Sequence, residues 1–477
     1  MLNTPRLLLV GLLSWYGHAS SVELLSAEDL ARATELREAA LEKNQAWDLL
    51  ESLTTEVGPR MAGTPGDAAG VAWARAKFEA LGFDRVITEP VTFPVWERGT
   101  EAAEVVAPFP QPLTITALGG SRATPEGGIT AELAHFRSLA DLEAASVEAV
   151  RGRLVFISNR MERFRDGSGY GPAVQARSQG AIVAAAKGGV GIMIRSIGTD
   201  DDRLPHTGLM RLDQPTVPAA ALSNPDADLL ERMLRRADSV TVRMELGSRW
   251  GGEYTSHNVI GDILGREAPD EFVVIGGHLD SWDLGTGAID DGAGCAITMA
   301  AAHLIGQMDT RPRRTIRVIL WANEEQGLYG ARAYHQAHLT ELEKHIIGSE
   351  SDFGAGRIYR FSSRVKPEAL GVIDQISQVL APLGIVRGDN NAFGGPDLSP
   401  MRMSGMALAS LYQDGTDYFD YHHTANDTLD KVEPEALSQN VAAYAVFAYL
   451  SAEYRGDFGF RLGLEPEQLM GPQTQRE

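Results

Sequence analysis

The chain has 477 residues and a formal net charge of -21, with 64 Asp and Glu against 43 Lys and Arg. That excess of acid argues against nucleic acid as a partner, because its phosphates would be repelled. Hydrophobic residues make up 44% of the chain, enough for packed cores, and the length calls for about two or three domains rather than one core or a disordered chain.

In chain order, Arg6 is followed by an apolar run over 7–15 and then by Gly17, His18 and Ala19. These are the three parts of a secretory signal peptide, assigned to residues 1–19. The expected mature protein is exported, periplasmic or extracellular. It makes no stable membrane insertion, since the best later apolar window, 441–450, is too short to span a bilayer. Residues 27–53 follow a helical pattern, the loop 58–66 breaks it, and a second helix over 67–81 stops at Gly82. Residues 86–95 alternate like a strand.

Between 98 and 247 the texture changes to short strand-like runs (113–117, 153–158, 191–195) separated by Gly- and Pro-rich turns. From 253 onward the chain reads as strand, polar loop, helix and strand. Apolar residues 272–276 lead into a loop with His278, Asp280, Asp290 and Asp291. A helix spans 291–305, and the apolar strand 316–321 runs at once into Glu324 and Glu325. Further helices are expected over 326–338 and 435–454, the second long and amphipathic, followed by a polar tail over 458–477. Cys295 is the only cysteine, so no intramolecular disulfide forms, and a small buried core residue is the plain reading of it.

In a doubly wound sheet the carboxyl ends of parallel strands open onto one edge, so loop residues after such strands converge. A lone His-x-Asp or Glu-Glu pair is ordinarily a solvated turn. Here an apolar strand precedes each, and burying that many carboxylates together without a cation is costly. A metal site follows, with one of Glu324 and Glu325 free to move protons while the other ligates. Two later strands, 345–349 and 407–412, break in the same way into loops carrying Glu350 and Asp352, and His422 and His423. Asp291 reads as a helix cap, Asp427 as part of an Asx turn or a partner of His423, and His303, His335 and His338 as ordinary helix residues.

The motifs GGHLDSW (276–282), GAIDDGAG (287–294), WANEEQGLYGA (321–331), SESDFGA (349–355) and YHHTANDTLDKV (421–432) resemble the di-zinc exopeptidase family that includes leucyl aminopeptidases and glutamate carboxypeptidase. The wording around Asp352 and His423 is most like the carboxypeptidase Q branch. The resemblance implies an α/β fold, a doubly wound, mainly parallel mixed sheet flanked by helices. It implies two zinc ions per chain, His278 and Asp352 on one, Glu325 and His423 on the other, and Asp290 bridging. Asp280 would orient His278, Glu324 would be the general base acting on a water between the metals, and His422 would either steady the oxyanion or make a structural hydrogen bond.

GRLVFISNR (152–160) and AVQARSQGAIVAAAKGGVGIMIR (173–195) resemble a protease-associated domain, expected as an insertion over 98–247 between peptidase parts 20–97 and 248–457. It would either roof the cleft or be a bystander. The implied substrate is a dipeptide or short peptide with free termini, for whose recognition Glu350, Asp414, Asp417 and Arg387 are candidates. A broader aminopeptidase is the alternative. A metal-free receptor or a single-zinc glutaminyl cyclase would differ in metal content, and cobalt or manganese accept the same ligands as zinc. The same branch resemblance implies a homodimer.

Overall fold

A computed structural model describes residues 24–459. The expected signal sequence and all but two residues of the expected tail lie outside them. Two eight-stranded sheets organise the described chain. Across the first run Arg85–Glu97, Arg249–Ile263, Arg314–Trp321, Ala268–His278, His345–Glu350, Leu408–Gln413, Ile358–Arg364 and Val386–Arg387. The middle four of these are parallel to one another. On either side the pairing turns antiparallel, which gives the expected mixed α/β sheet.

Both faces of that sheet are covered, and its central strands are accordingly apolar without alternation; all of Arg314–Trp321 is buried. One face packs on the helices Ala27–Glu42, Ala293–Gly306, Leu370–Leu380 and Pro434–Glu453, the other on Tyr329–Ala337 and Ser399–Met403. The 293–306 helix opens with Ala293, Gly294, Cys295 and Ala296, all buried, and such small side chains let it lie close against the sheet.

Two helices differ from the sequence reading. The helix expected over 27–53 is two, Ala27–Glu42 and Ala46–Ser52. Asn44 makes the break: its side chain donates to Ala40 O at 2.8 Å and accepts from Ala46 N at 3.0 Å, offering the backbone an alternative to the helical ladder. The helix Pro434–Glu453 is not amphipathic, since every residue from Gln439 to Glu453 is buried. It lies between the 293–306 helix and the outer 27–42 helix, and a helix covered on all sides needs no polar face.

The second sheet uses only residues between 101 and 246, in the order Gln111–Leu113, Glu101–Ala107, Thr241–Leu246, Ile129–Phe136, Leu154–Ile157, Gly191–Arg195, Ala219–Leu222 and Ile115–Ala117. The run expected as one strand over 113–117 is split between its two ends. The helices Tyr170–Ala186 and Asn224–Leu234 pack on it. The chain leaves the first sheet at Glu97 and re-enters opposite, at Arg249, where Gly247 N–H donates to Thr100 O at 2.7 Å.

Arg317 and Asp262 join two strands of the first sheet in the interior, Nε to Oδ1 at 2.8 Å and Nη2 to Oδ2 at 2.9 Å. Without Arg317, Asp262 would stay in the interior with Arg85 alone, a partly exposed partner at 2.8 Å from its Oδ2, and losing one partner of a buried pair is costly. Arg317→Met is expected to lower unfolding free energy by about 3–5 kcal/mol, measured by denaturant unfolding; a loss below about 1 kcal/mol would contradict this role.

Candidate metal centre

Four parallel strands deliver the site. Ala268–His278 ends on His278 itself, and Glu324 and Glu325 follow Arg314–Trp321. Asp352 follows His345–Glu350, while His422 and His423 stand in the loop beyond Leu408–Gln413. Asp290 comes from the turn that opens the 293–306 helix, where the Asp290–Asp291 peptide is cis.

Asp290 lies between the two imidazoles. Its Oδ1 is 3.1 Å from His278 Nε2 and its Oδ2 is 3.1 Å from His423 Nε2. A second carboxylate approaches the same nitrogen of each ring, Asp352 Oδ1 at 3.6 Å from His278 Nε2 and Glu325 Oε2 at 2.9 Å from His423 Nε2. Potential ligand atoms of His278, Asp290 and Asp352 lie within 4.8 Å of one another, as do those of Asp290, His422 and His423. The residues picked as ligands from the sequence thus meet, and His422 joins them.

A cation fits this arrangement on the chemistry of the donors. The Nδ1 of His278 faces Asp280 O at 2.9 Å, and that of His423 faces Thr207 O at 3.3 Å, both acceptors only. Each Nε2 also faces carboxylate oxygen, but a neutral imidazole has a single N–H. Either the rings are protonated or positive charge sits between each Nε2 and its carboxylates. Burial alone would lower the pKa of His423, yet Glu325 and Asp290 hold it up at about 10; Asp280, Asp290 and Asp352 likewise outweigh burial and raise His278. Glu325 Oε1 is buried without a hydrogen bond among the described residues. Nitrogen and oxygen donors so arranged suit zinc.

The two glutamates differ. Glu325 is buried against His423, whereas the carboxylate of Glu324 is half-buried and has no hydrogen bond or ion pair among the described residues. Burial first, then Asp352 and Glu325, push its pKa well above the usual carboxylate range, with His278 opposing. His422 stacks on His423 with ring centroids 3.7 Å apart, enclosed by Tyr170, Tyr418 and Phe419, and burial keeps it neutral.

Neighbouring groups hold these residues. Asp280 meets His278 through its main-chain oxygen; its carboxylate, 3.7 Å from Nδ1, instead accepts from Glu324 N at 3.0 Å and Glu325 N at 3.4 Å. The role expected for that carboxylate on His278 is therefore filled by the backbone. Asp427 serves Asp290 rather than His423, accepting from Ile289 N at 2.6 Å and Asp290 N at 3.2 Å. Asp291 takes His278 N–H and Gly294 N–H, both at 3.0 Å, which makes it a cap. Cys295 is buried, with its thiol on His278 O, and burial pushes its pKa up. His303, His335 and His338 are paired elsewhere, with Leu81 O, Ser404 and Glu89.

Among the residues considered for terminus recognition, Asp414 is tied to Arg165, Asp417 to Arg163 and Arg387 to Asp374. Glu350 is buried and accepts from Asp397 N at 2.8 Å. One residue the sequence did not single out is Arg60. It is fully buried and bonds Leu279 O at 2.6 Å, Thr286 O at 2.6 Å and Gly287 O at 2.8 Å, so it fastens the loop between His278 and Asp290.

Residues 258–448 match the model of peptidase family M28. Carboxypeptidase Q from Xenopus laevis is 34% identical over 434 residues, 90% of this chain and 91% of the relative. The chain belongs to peptidase family M28. It is a hydrolase of that family, and carboxypeptidase Q from Mus musculus, 32% identical over the same shares of both chains, is similar to it as well. The solved peptidase M28 precursor from Shewanella amazonensis SB2B shares 52% identity with a TM-score of 0.90, covering 92% of this chain and 99% of that one. A zinc aminopeptidase from Bacillus subtilis, 18% identical with a TM-score of 0.62 over 88% of this chain and 97% of its own, has the same M28 fold.

Two measurements follow. Because the carboxylates around His278 and His423 favour their protonated rings when no cation is bound, metal uptake at pH 7 is expected to release protons, read by calorimetry in buffers of different ionisation enthalpy; metal binding without proton release would contradict the geometry. Arg60→Met leaves several carbonyls without a donor and is expected to cost about 3 kcal/mol of stability and to weaken metal binding, whereas a fully stable variant with unchanged metal affinity would rule out its fastening role.

Proposed function

We propose that the chain is a di-zinc exopeptidase that hydrolyses dipeptides or short peptides with free termini. The observation that carries this is Asp290, one carboxylate with an oxygen toward each of two imidazoles. His278 and Asp352 would hold one cation and His423 and Glu325 the other, Asp290 serving both. Bound there, the cations supply Lewis acidity to a peptide carbonyl and make water acidic enough to yield a nucleophile near neutral pH.

The chain's own residues do the rest. Glu324, whose carboxylate has no hydrogen bond or ion pair among the described residues, takes the proton of the attacking water and returns it to the leaving amine. His422, neutral in its aromatic enclosure, is the donor for the oxygen of the carbonyl under attack. The similarity to carboxypeptidase Q supports short substrates with unblocked ends. The residues of the second sheet correspond in this reading to a protease-associated domain, one that reaches the cleft through the loop at Thr207.

The test compares metal content with turnover. Glu324→Gln is expected to keep its metal while losing about 10²–10⁴-fold in kcat, and Glu325→Ala to lose metal as well, with free and end-blocked dipeptides as substrates. Equal metal content in the parent and Glu325→Ala would contradict the assignment, as would a fully active Glu324→Gln.

A further inference from the structure

Thr207 belongs to the second-sheet region and has no ligand atom of its own in the metal centre, yet both of its main-chain polar groups are given to His423. Its N–H donates to His423 O at 2.9 Å, and its carbonyl faces His423 Nδ1 at 3.3 Å. We infer that Thr207 is the positioning residue for His423, so that the second-sheet region completes the outer shell of the metal centre. This rests on His423 being a metal ligand.

The contact acts on two properties of His423. A carbonyl only accepts, so it keeps the proton on Nδ1 and turns the lone pair of Nε2 toward Asp290 and Glu325. His423 also has a φ of +60°, a left-handed backbone that a side chain other than glycine adopts only when its surroundings hold it there. The N–H of Thr207 on the His423 carbonyl is such a hold.

Thr207 can impose this because it is itself pinned and wholly buried. Its Oγ1 donates to Ala117 O at 2.9 Å and accepts from Arg98 Nη2 at 3.2 Å. Before it, His206 donates its N–H to Ser196 Oγ at 2.9 Å and accepts Ile197 N–H on Nδ1 at 2.8 Å, just past the strand Gly191–Arg195. After it, Gly208 O accepts from Gly119 N at 2.9 Å, and Met210 N donates to Gly119 O at 3.0 Å. Arg177 Nη1 reaches the same Thr207 carbonyl at 3.4 Å. At Gly208, whose φ of +130° strains any residue with a side chain, a Cβ would stand 2.2 Å from Arg177 Nη1 and 2.9 Å from His423 Nδ1, so a larger residue there presses on the His423 ring and on the guanidinium that shares the Thr207 carbonyl.

The experiment titrates zinc into the metal-free full chain, with thermal unfolding of the metal-free protein as a check on folding. The parent is expected to bind two zinc ions tightly. Gly208→Ala is expected to keep one tight ion and to bind the other about 10–100-fold more weakly. Should Gly208→Ala fail to fold, Thr207→Val carries the test, with Thr207→Ser, which keeps the hydroxyl, expected to restore parental affinity. A merely structural role would shift the unfolding temperature and leave both affinities alike. A parent that binds fewer than two ions overturns the two-cation reading on which the inference rests. A parent with two tight ions, and folded variants that also hold both at parental affinity, overturns the role of Thr207 alone.

Discussion

The constraint that governs this molecule is electrostatic. Asp290, Asp352, Glu324 and Glu325 are gathered with two imidazoles at the carboxyl edge of a buried parallel sheet, Asp290 and Glu325 buried and Asp352 and Glu324 only partly exposed to water. Such a group is stable only with positive charge among the carboxylates. With no cation the imidazoles supply it, and Glu325 and Asp290 hold the pKa of His423 up at about 10 against its burial. Divalent cations supply it with better geometry, since the imidazoles can then give lone pairs instead of protons.

Holding so many like charges in place is the work of a second ring of contacts, and most of it is done by the backbone. Asp427 and Asp280 spend their carboxylates on the amides of Asp290 and of Glu324 and Glu325. Arg60 collects the carbonyls of the loop between His278 and Asp290. Among the described residues these contacts leave Glu324 without a partner beside a glutamate that has one, the asymmetry that the proposed division between a proton carrier and a ligand rests on.

The sheet was legible in the sequence because its central strands are apolar runs, and His278, Glu325 and Asp352 could be set at one edge because each stands at or just past such a run; Asp290, which opens a helix, and His423, deep in a loop, were set beside them by the family resemblance of their motifs. The bounds of Gly191–Arg195 could likewise be read outright from its apolar run. Legibility failed where the deciding contact is distant or runs through main chain. Thr207 meets His423 across 216 positions through atoms that every residue type possesses. Asp280 acts on His278 by its carbonyl, so the His-x-Asp spacing was informative while the role assigned to its carboxylate was not. The 434–453 helix looked amphipathic because nothing in its own residues announces that the 27–42 helix covers its outer side.

The most direct test of the account is a crystal structure of the zinc-loaded protein with anomalous scattering recorded at the zinc edge. The account requires two anomalous peaks flanking Asp290, one against His278 and Asp352 and one against His423 and Glu325. A single peak, or two peaks that do not share Asp290, would contradict it.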